Sequence, residues 1–222
     1  MRSKNLIRFG AIVVLGLAGV AAGHADTLNF APGNTFAGTA PVGSLSATFT
    51  DVGPNQVQLV ITSGLASGEN LQAKRALMLD YDGANLNDLH FALTGNTGFA
   101  QAATVSTGDE NFPAPGAFYD MEFSYSPSTK AFTDGESQTY LITTSKGSIS
   151  ADSFTSGNDE PWQGVIHVQN IGNSSGWVGG APGDIVPVSP TPEPSSFLLL
   201  GTGLIGAAWF LRSRMDKGQS RI

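Results

Sequence analysis

Alternation of apolar and polar residues constrains the fold of this chain more than any other feature of its sequence. The clearest example is 118–126, where Tyr119, Met121, Phe123 and Tyr125 alternate with polar residues. A period of two places successive side chains on opposite faces of a β-strand. The segment is therefore predicted to be a strand with one buried face and one solvated face.

Other short segments have the same strand character and are separated by Gly, Asn, Asp and Pro. Two of them, 45–50 and 57–61, flank Gly53-Pro54-Asn55 and are predicted to form a β-hairpin. Only 67–74 has the composition of a short helix. The remaining candidate strands are 75–81, 89–93, 138–144, 148–154 and 162–171. The pattern predicts an all-β fold, namely an antiparallel β-sandwich of jelly-roll or immunoglobulin-like type.

Residues 1–25 have the pattern of a secretory signal peptide. Three basic residues precede an apolar run at 9–23, and Gly23-His24-Ala25 has small residues at the two positions that a signal peptidase reads. We expect signal peptidase to cleave between Ala25 and Asp26. An uncleaved N-terminal anchor is the alternative, which the short Gly/Ala-rich run disfavours.

Three zones follow one another at the C-terminus: a proline-rich linker at 188–196, an apolar run at 197–211 and a basic tail at 212–222. As a helix, the apolar run would extend about 22 Å, which is short for a hydrocarbon core of about 30 Å. Arg212 and Arg214 follow it at once, and positive charge beside an apolar helix stays cytoplasmic. We therefore expect a single transmembrane helix at 197–211, with the preceding residues outside the inner membrane.

The tripeptide Pro192-Glu193-Pro194, followed by the apolar run and the arginine-containing tail, resembles the PEP-CTERM sorting signal of Gram-negative bacteria. The resemblance implies that an integral-membrane exosortase recognises the tripeptide and removes the tail. It also implies a single-pass membrane precursor that reaches the cell surface or the medium after processing. A Pro-rich linker before an ordinary single-pass anchor is the alternative. Several inner stretches are similar to ones in many PEP-CTERM β-sandwich proteins, and no catalytic residue comes with that likeness: 132–137, 153–154, 167–172 and 175–179.

The region between the two terminal segments, 26–187, has the size of one domain. It contains four basic residues against 16 acidic ones, and therefore carries a net charge of −12. Nucleic acid is excluded as a partner, because its phosphates require a basic face. The chain has no cysteine, so the domain must be held together without disulfides, and thiol chemistry and cysteine zinc sites are excluded.

Two histidines remain after removal of the signal peptide, His90 and His167, and each lies within a predicted strand. Neither lies in the spacing of a catalytic or metal-binding motif, and the nucleophile elbow G-x-S-x-G does not occur. For His167 we expect a structural role or a place at the rim of a site. The protein is accordingly not expected to be an enzyme, and no catalytic residue, metal or cofactor is assigned.

Asp80-Tyr81-Asp82-Gly83 resembles the opening of a calcium-binding loop, in which alternate residues supply oxygen ligands. The EF-hand pattern then fails, because Ala84 and Phe91 occupy positions five and twelve. A looser calcium site that includes Asp88 stays open, against a strand end followed by an Asp-Gly turn.

Three functions remain open from the sequence. The leading one is a non-catalytic cell-surface or matrix protein associated with exopolysaccharide and biofilm, as the resemblance of the tail implies. The second is a carbohydrate-binding module in which Trp162 and Trp177 stack on sugar rings. The third is a secreted hydrolase, which would need paired carboxylates such as Asp109-Glu110 or Asp159-Glu160, or a histidine dyad. Both ends of the chain favour the first.

Overall fold

The computed structural model describes residues 23–84, 86–98, 102–111, 118–125, 132–156 and 162–182. The linker with its tripeptide, the apolar run 197–211 and the basic tail lie outside the described residues, as does Asp159-Glu160. Of the predicted signal peptide, only the last three residues are included. No helix within the described ranges has the length and apolar character needed to cross a bilayer.

Strands dominate the described part of the chain, which has two short 3₁₀ helices besides. The strands are β1 (Ala25–Gly38), β2 (Ser44–Gly53), β3 (Gln56–Gly64), β4 (Asn70–Leu71), β5 (Leu77–Leu79), β6 (Leu89–Thr97), β7 (Thr104–Asn111), β8 (Phe118–Ser124), β9 (Ser137–Thr144), β10 (Gly164–Ile171) and β11 (Ser174–Pro182). The 3₁₀ helices are Leu86–Asp88 and Ala151–Phe154.

All of these strands join one antiparallel sheet in the order β6-β9-β3-β2-β1-β11-β10-β5-β8-β7, with β4 also paired to β10. The two ends of this path approach each other. Phe91 of β6 meets Phe123 of β8 edge to face at 5.8 Å between ring centroids, and the Ala103 N–H beside β7 donates to Tyr140 Oη of β9 at 2.9 Å. The fold is therefore all-β and antiparallel, and its sheet is nearly closed and barrel-like.

The predicted class is confirmed, whereas the division into two sheets is not seen, because hydrogen bonds link every described strand into one sheet. The predicted hairpin is β2–β3, and Asn55 takes the left-handed φ of 57° that its tight turn requires. No helix forms within 67–74, which contains β4.

The strand predicted at 148–154 is wrong. Its second half is the 3₁₀ helix Ala151–Phe154, whose start is fixed by serine hydrogen bonds: Ser150 N donates to Ser153 Oγ at 3.2 Å, and Ser153 N donates to Ser150 O at 3.1 Å. Serine side chains compete in this way with the ladder bonds of a sheet. Strands β1, β7 and β11 were not predicted, because glycine or proline interrupts the alternation of each.

One large apolar core fills the inside of the curled sheet. Phe49 and Phe154 stack at its centre, with ring centroids 4.8 Å apart and planes within 3°. Burying a side chain of this size contributes about 1.5–3 kcal/mol before the entropy of ordering is subtracted. Other fully buried members of the core are Leu28, Phe30, Leu59, Ile61, Phe123, Ile142, Ile166 and Val168.

A second, smaller apolar cluster consists of Met78, Tyr119 and Val165, against which Trp162 and Trp177 pack. Alternation along the strands explains its place. Leu77 and Leu79 of β5 belong to the main core, so Met78 between them points to the opposite face. We call this opposite face of β5, β10 and β11 the outer face.

A candidate ligand pocket on the outer face

A cavity of about 550 Å³ opens on the outer face of the sheet. Four separate segments build it: the turn between β4 and β5, together with β8, β10 and β11. Its volume lies within the range of about 300–1,000 Å³ that is common for small-molecule sites. The residues that line it are Gln72, Lys74, Arg75, Glu122, His167 and Trp177.

His167 and Trp177 form the aromatic wall of this pocket. They are opposite each other in the β10–β11 ladder, and their rings stack with centroids 4.1 Å apart and planes within 8°. Burial lowers the pKa of His167 below its ordinary value of 6.5, so its imidazole is neutral at pH 7. Its Nδ1 is buried and forms no hydrogen bond with any other described residue.

The turn that carries Lys74 and Arg75 is fixed by hydrogen bonds to the neighbouring strands. Gln72 N donates to His167 O of β10 at 2.8 Å, and Ala76 N donates to Phe123 O of β8 at 3.1 Å. Between these anchors Arg75 has a φ of 56°, a left-handed conformation that costs a non-glycine residue about 1–2 kcal/mol. The surrounding contacts therefore hold the two cationic residues in one place.

Glu122 is the one carboxylate among the described residues that line the pocket, and its Oε1 accepts hydrogen bonds from the protein itself. The Arg75 backbone N–H donates to this atom at 2.9 Å, and the Ser124 hydroxyl also donates to it. The carboxylate thus satisfies the backbone of the strained turn. Within the described residues it forms no ion pair with the Lys74 ammonium or the Arg75 guanidinium.

The pocket concentrates positive charge in a domain that has little. Lys74 and Arg75 are two of the four basic residues of 26–187. Of the others, Lys146 pairs with Asp88 at 3.1 Å, and Lys130 lies outside the described residues. No ion pair of Lys74 or Arg75 is found in the described part of the chain. Both cations are therefore available to an anionic group.

Trp162, the second candidate for sugar stacking, lies on the same face as Trp177 but is not among the residues that line the pocket. Its ring covers Gly179, where an added Cβ would come within 2.0 Å of Trp162 Cδ2. It also stacks on Phe36 with centroids 6.5 Å apart. Gly179 and Trp177 are two residues apart on β11 and so share a face. The structure thus brings both tryptophans to one side of the sheet, with aromatic side chains beside the pocket.

Two of the three carboxylates considered for a looser calcium site, Asp80 and Asp88, have other partners. Asp80 Oδ1 and Asp120 Oδ2 both accept from the Tyr81 backbone N–H, at 3.0 and 2.8 Å, and Asp88 pairs with Lys146. Asp80, Asp82 and Asp88 form no cluster of possible metal ligands among the described residues.

His90 is exposed on β6. Asp109 and Glu110 lie on β7 by their backbone, and their side chains are outside the described part.

One group of possible metal ligands does occur among the described residues, and it was not predicted: His24, Asp26 and Asp152. His24 Nε2 lies 3.1 Å from Asp26 Oδ2 and 3.0 Å from Asp152 Oδ1, and the Thr155 hydroxyl donates to Asp26 Oδ2 at 2.9 Å. Partial burial lowers the pKa of His24, but the two carboxylates outweigh it and the net shift is upward. The predicted cleavage between Ala25 and Asp26 would remove His24 and end this arrangement.

The pocket itself was missed by the sequence analysis, except for Trp177 and the rim role of His167. The available signal was the Lys74-Arg75 pair, an isolated basic dipeptide in an acidic domain. A second signal was the turn at Gly172-Asn173, which lies midway between His167 and Trp177 and predicts that they face each other across a hairpin.

The structure and the sequence together define a class: a chain with an antiparallel all-β domain, followed by a C-terminal segment of linker, apolar run and basic tail. Residues 190–214 of this segment match the family model of the PEP-CTERM protein-sorting motif. The predicted resemblance is thereby confirmed, and the chain carries a PEP-CTERM sorting motif. Pro192-Glu193-Pro194, Arg212 and Arg214 all lie within the matched residues.

Comparison with curated proteins and with solved structures gave no match for the chain. The PEP-CTERM motif implies export, a membrane-anchored precursor and processing by exosortase, which is a membrane protease. The match covers the C-terminal segment and not the β domain.

Proposed function

We propose that this protein is a non-catalytic component of the cell surface or extracellular matrix, and that its β domain associates with exopolysaccharide in a biofilm. The observation that carries the proposal is the PEP-CTERM motif at 190–214, which follows the β domain directly. The domain is acidic and free of cysteine, as suits a soluble domain outside the cell. In this proposal the two halves of the sheet pack across one core as the sheets of a β-sandwich do.

Processing at both ends belongs to the same proposal. Signal peptidase cleaves between Ala25 and Asp26, and the helix 197–211 then holds the precursor in the inner membrane with Arg212 and Arg214 in the cytoplasm. Exosortase cleaves close to Pro192-Glu193-Pro194 and releases the domain from its anchor. Support for this order comes from the positions of the three zones in the sequence.

A carbohydrate-binding module is the second candidate, and the pocket on the outer face favours it. The pocket combines a half-buried tryptophan with polar and cationic side chains, which suits a ligand that has both an apolar ring face and hydroxyl groups. Glycoside hydrolysis uses two carboxyl groups about 5–9.5 Å apart, whereas Glu122 is the one carboxylate among the described residues that line this pocket. Binding without catalysis is therefore the reading that the pocket supports.

The test of the sorting proposal is the intact mass of the protein recovered from its host, with inner membrane, outer membrane and medium analysed separately. We expect a mass that begins at Asp26, ends between Pro192 and Ser196, and occurs outside the inner membrane. Glu193→Ala should leave the chain unprocessed in the inner membrane. Pro187→Ala, outside the matched residues, is the control and should be processed normally. A wild-type mass that extends to Ile222 in the inner membrane would refute the proposal.

A further inference from the structure

We propose that the pocket on the outer face binds an acidic sugar, namely a uronic-acid unit of a polysaccharide, through Arg75, Lys74 and Trp177. This inference rests on the proposed association with exopolysaccharide and narrows it to one chemical class. It names a site and a ligand charge that the sorting motif does not give.

The charge of the ligand follows from the cations at the pocket. The Arg75 guanidinium is planar and presents paired N–H donors that match the two oxygens of a carboxylate. Lys74 is the adjacent residue and adds a second positive charge. Glu122 also lines the pocket, and its Oε1 accepts from the Arg75 backbone N–H and from the Ser124 hydroxyl. Two cations against this one carboxylate leave the described lining with a net positive charge, which favours a ligand that carries a carboxylate.

A uronic-acid unit flanked by neutral sugars suits the electrostatics better than a densely charged polymer. The domain as a whole carries a net charge of −12 and repels polyanions at long range. At physiological ionic strength this repulsion is screened beyond about 8 Å, so a carboxylate that enters the pocket is governed by the cations next to it. The same balance disfavours nucleic acid, which carries a negative phosphate on every nucleotide.

The sugar ring is assigned to the aromatic wall. Trp177 is partly exposed and is held flat by its stack on His167 at 4.1 Å, so its orientation is fixed before a ligand arrives. A rigid, preformed contact lowers the entropy that binding must overcome. The side-chain amide of Gln72 is the neutral polar group among the described lining residues that remains for hydroxyl groups of the sugar.

The experiment is calorimetric titration of the protein, in whichever form the host yields it, with a galacturonic-acid trisaccharide. The neutral galactose trisaccharide is the matched probe without the carboxylate. We expect the acidic probe to bind at least tenfold more tightly than the neutral one. Trp177→Ala should weaken binding of both probes, because the ring contact is common to them.

Two charge variants separate the pocket from general electrostatics. Arg75→Asn removes the guanidinium and retains a residue that tolerates left-handed backbone, so the turn should still form. Arg75→Asn should lower the affinity for the acidic probe by about 10- to 100-fold, as the loss of a charge-assisted hydrogen bond predicts. Lys146→Gln removes one positive charge elsewhere on the domain and should change the affinity less than twofold. Unchanged circular dichroism and a urea midpoint of unfolding no lower than that of the wild type show that Arg75→Asn has folded.

Equal binding of both trisaccharides, or full affinity in a folded Arg75→Asn variant, would overturn the inference. A sulfated galactose trisaccharide that binds as tightly and depends equally on Arg75 would overturn the assignment to a carboxylate. The two proposals fail separately. If the protein is processed and reaches the surface but binds no acidic sugar, the assignment of the pocket is wrong and the sorting proposal stands. If the chain still extends to Ile222 but binds uronate, the sorting proposal is wrong and the assignment of the pocket stands.

Discussion

Glu69 is a buried carboxylate whose removal should destabilise the fold strongly. Its side chain accepts three backbone hydrogen bonds, from Val42 N at 2.7 Å, Gly43 N at 3.2 Å and Ala66 N at 2.9 Å. These bonds join the loop before β2 to the loop after β3. The residue is 4% exposed, so water does not readily replace the carboxylate oxygens.

The magnitude follows from the hydrogen bonds that Glu69→Ala would remove. A bond to a charged acceptor contributes about 1.5–3 kcal/mol. The sum is an upper bound, because Val42 is largely exposed and water can reach its N–H once the side chain is gone. We therefore expect a loss of about 3–5 kcal/mol, a large part of the 5–15 kcal/mol that is typical for a domain. Glu69→Gln retains one acceptor and should cost about 2–3 kcal/mol.

The assay is urea unfolding of the purified variants, followed by tryptophan fluorescence and circular dichroism. A fall in the midpoint with an unchanged m-value would measure stability alone. Asp134→Asn is the matched control, since it removes one exposed carboxylate charge and should shift the free energy of unfolding by less than about 0.5 kcal/mol. The reasoning is refuted if Glu69→Ala unfolds within about 1 kcal/mol of the wild type.

Three further predictions follow from buried or crowded groups. Burial depresses the pKa of His167, so the unfolded chain binds a proton on this histidine more tightly than the folded chain does. The contribution of His167 to the free energy of unfolding should therefore be constant above pH 6.5 and should fall as the pH drops below 6.5. The variant His167→Gln should lose this part of the pH dependence of the urea midpoint. An equal slope in the variant would contradict this. Burial, with smaller contributions from Tyr140 and Glu136, raises the pKa of Tyr125 well above 10. In an alkaline titration followed by ultraviolet absorbance, the Tyr125 hydroxyl should therefore ionise only at the pH at which circular dichroism reports unfolding. Early ionisation of every tyrosine would contradict the burial. Gly179→Ala places a Cβ 2.0 Å from the Trp162 ring and should lower the free energy of unfolding by about 1–3 kcal/mol. Adding Trp162→Leu to the same chain should restore part of that stability. If Gly179→Ala is as stable as the wild type, the ring moves aside freely and the prediction is wrong.

The parts of the fold that could be predicted are those with local signals. The β2–β3 hairpin follows from two alternating segments around Gly53-Pro54-Asn55, and β8 follows from alternation alone. The strand β1 has alternation at its start, but Pro32 and Gly33 interrupt it, and the structure accommodates them as register shifts between Phe30 and Thr35.

The pairing of strands that are distant in sequence had no local signal. Beside β1 in the sheet lies β11, whose Trp177 is 140 positions from the Ala37 that it faces. Nothing in the alternation of either segment specifies that contact. The pocket was hidden for the same reason, because Arg75, Glu122 and His167 become neighbours only after β5, β8 and β10 pair. The turn at Arg75 was also hard to predict, because its backbone is left-handed but residues 72–76 include no glycine or asparagine, which normally mark such a turn.

The pairing of β1 with β11 also determines when the sheet can be completed during export. These are the first and last strands of the described chain, and they lie side by side in the middle of the sheet. A chain exported from its N-terminus presents β1 early, but the hydrogen bonds of one of its edges stay unmade until β11 has crossed the membrane. Contacts this distant in sequence close slowly, because a long loop must be ordered first. The sheet can therefore be completed only after β11 has been exported, and β11 is the described strand that lies nearest in sequence to the sorting motif.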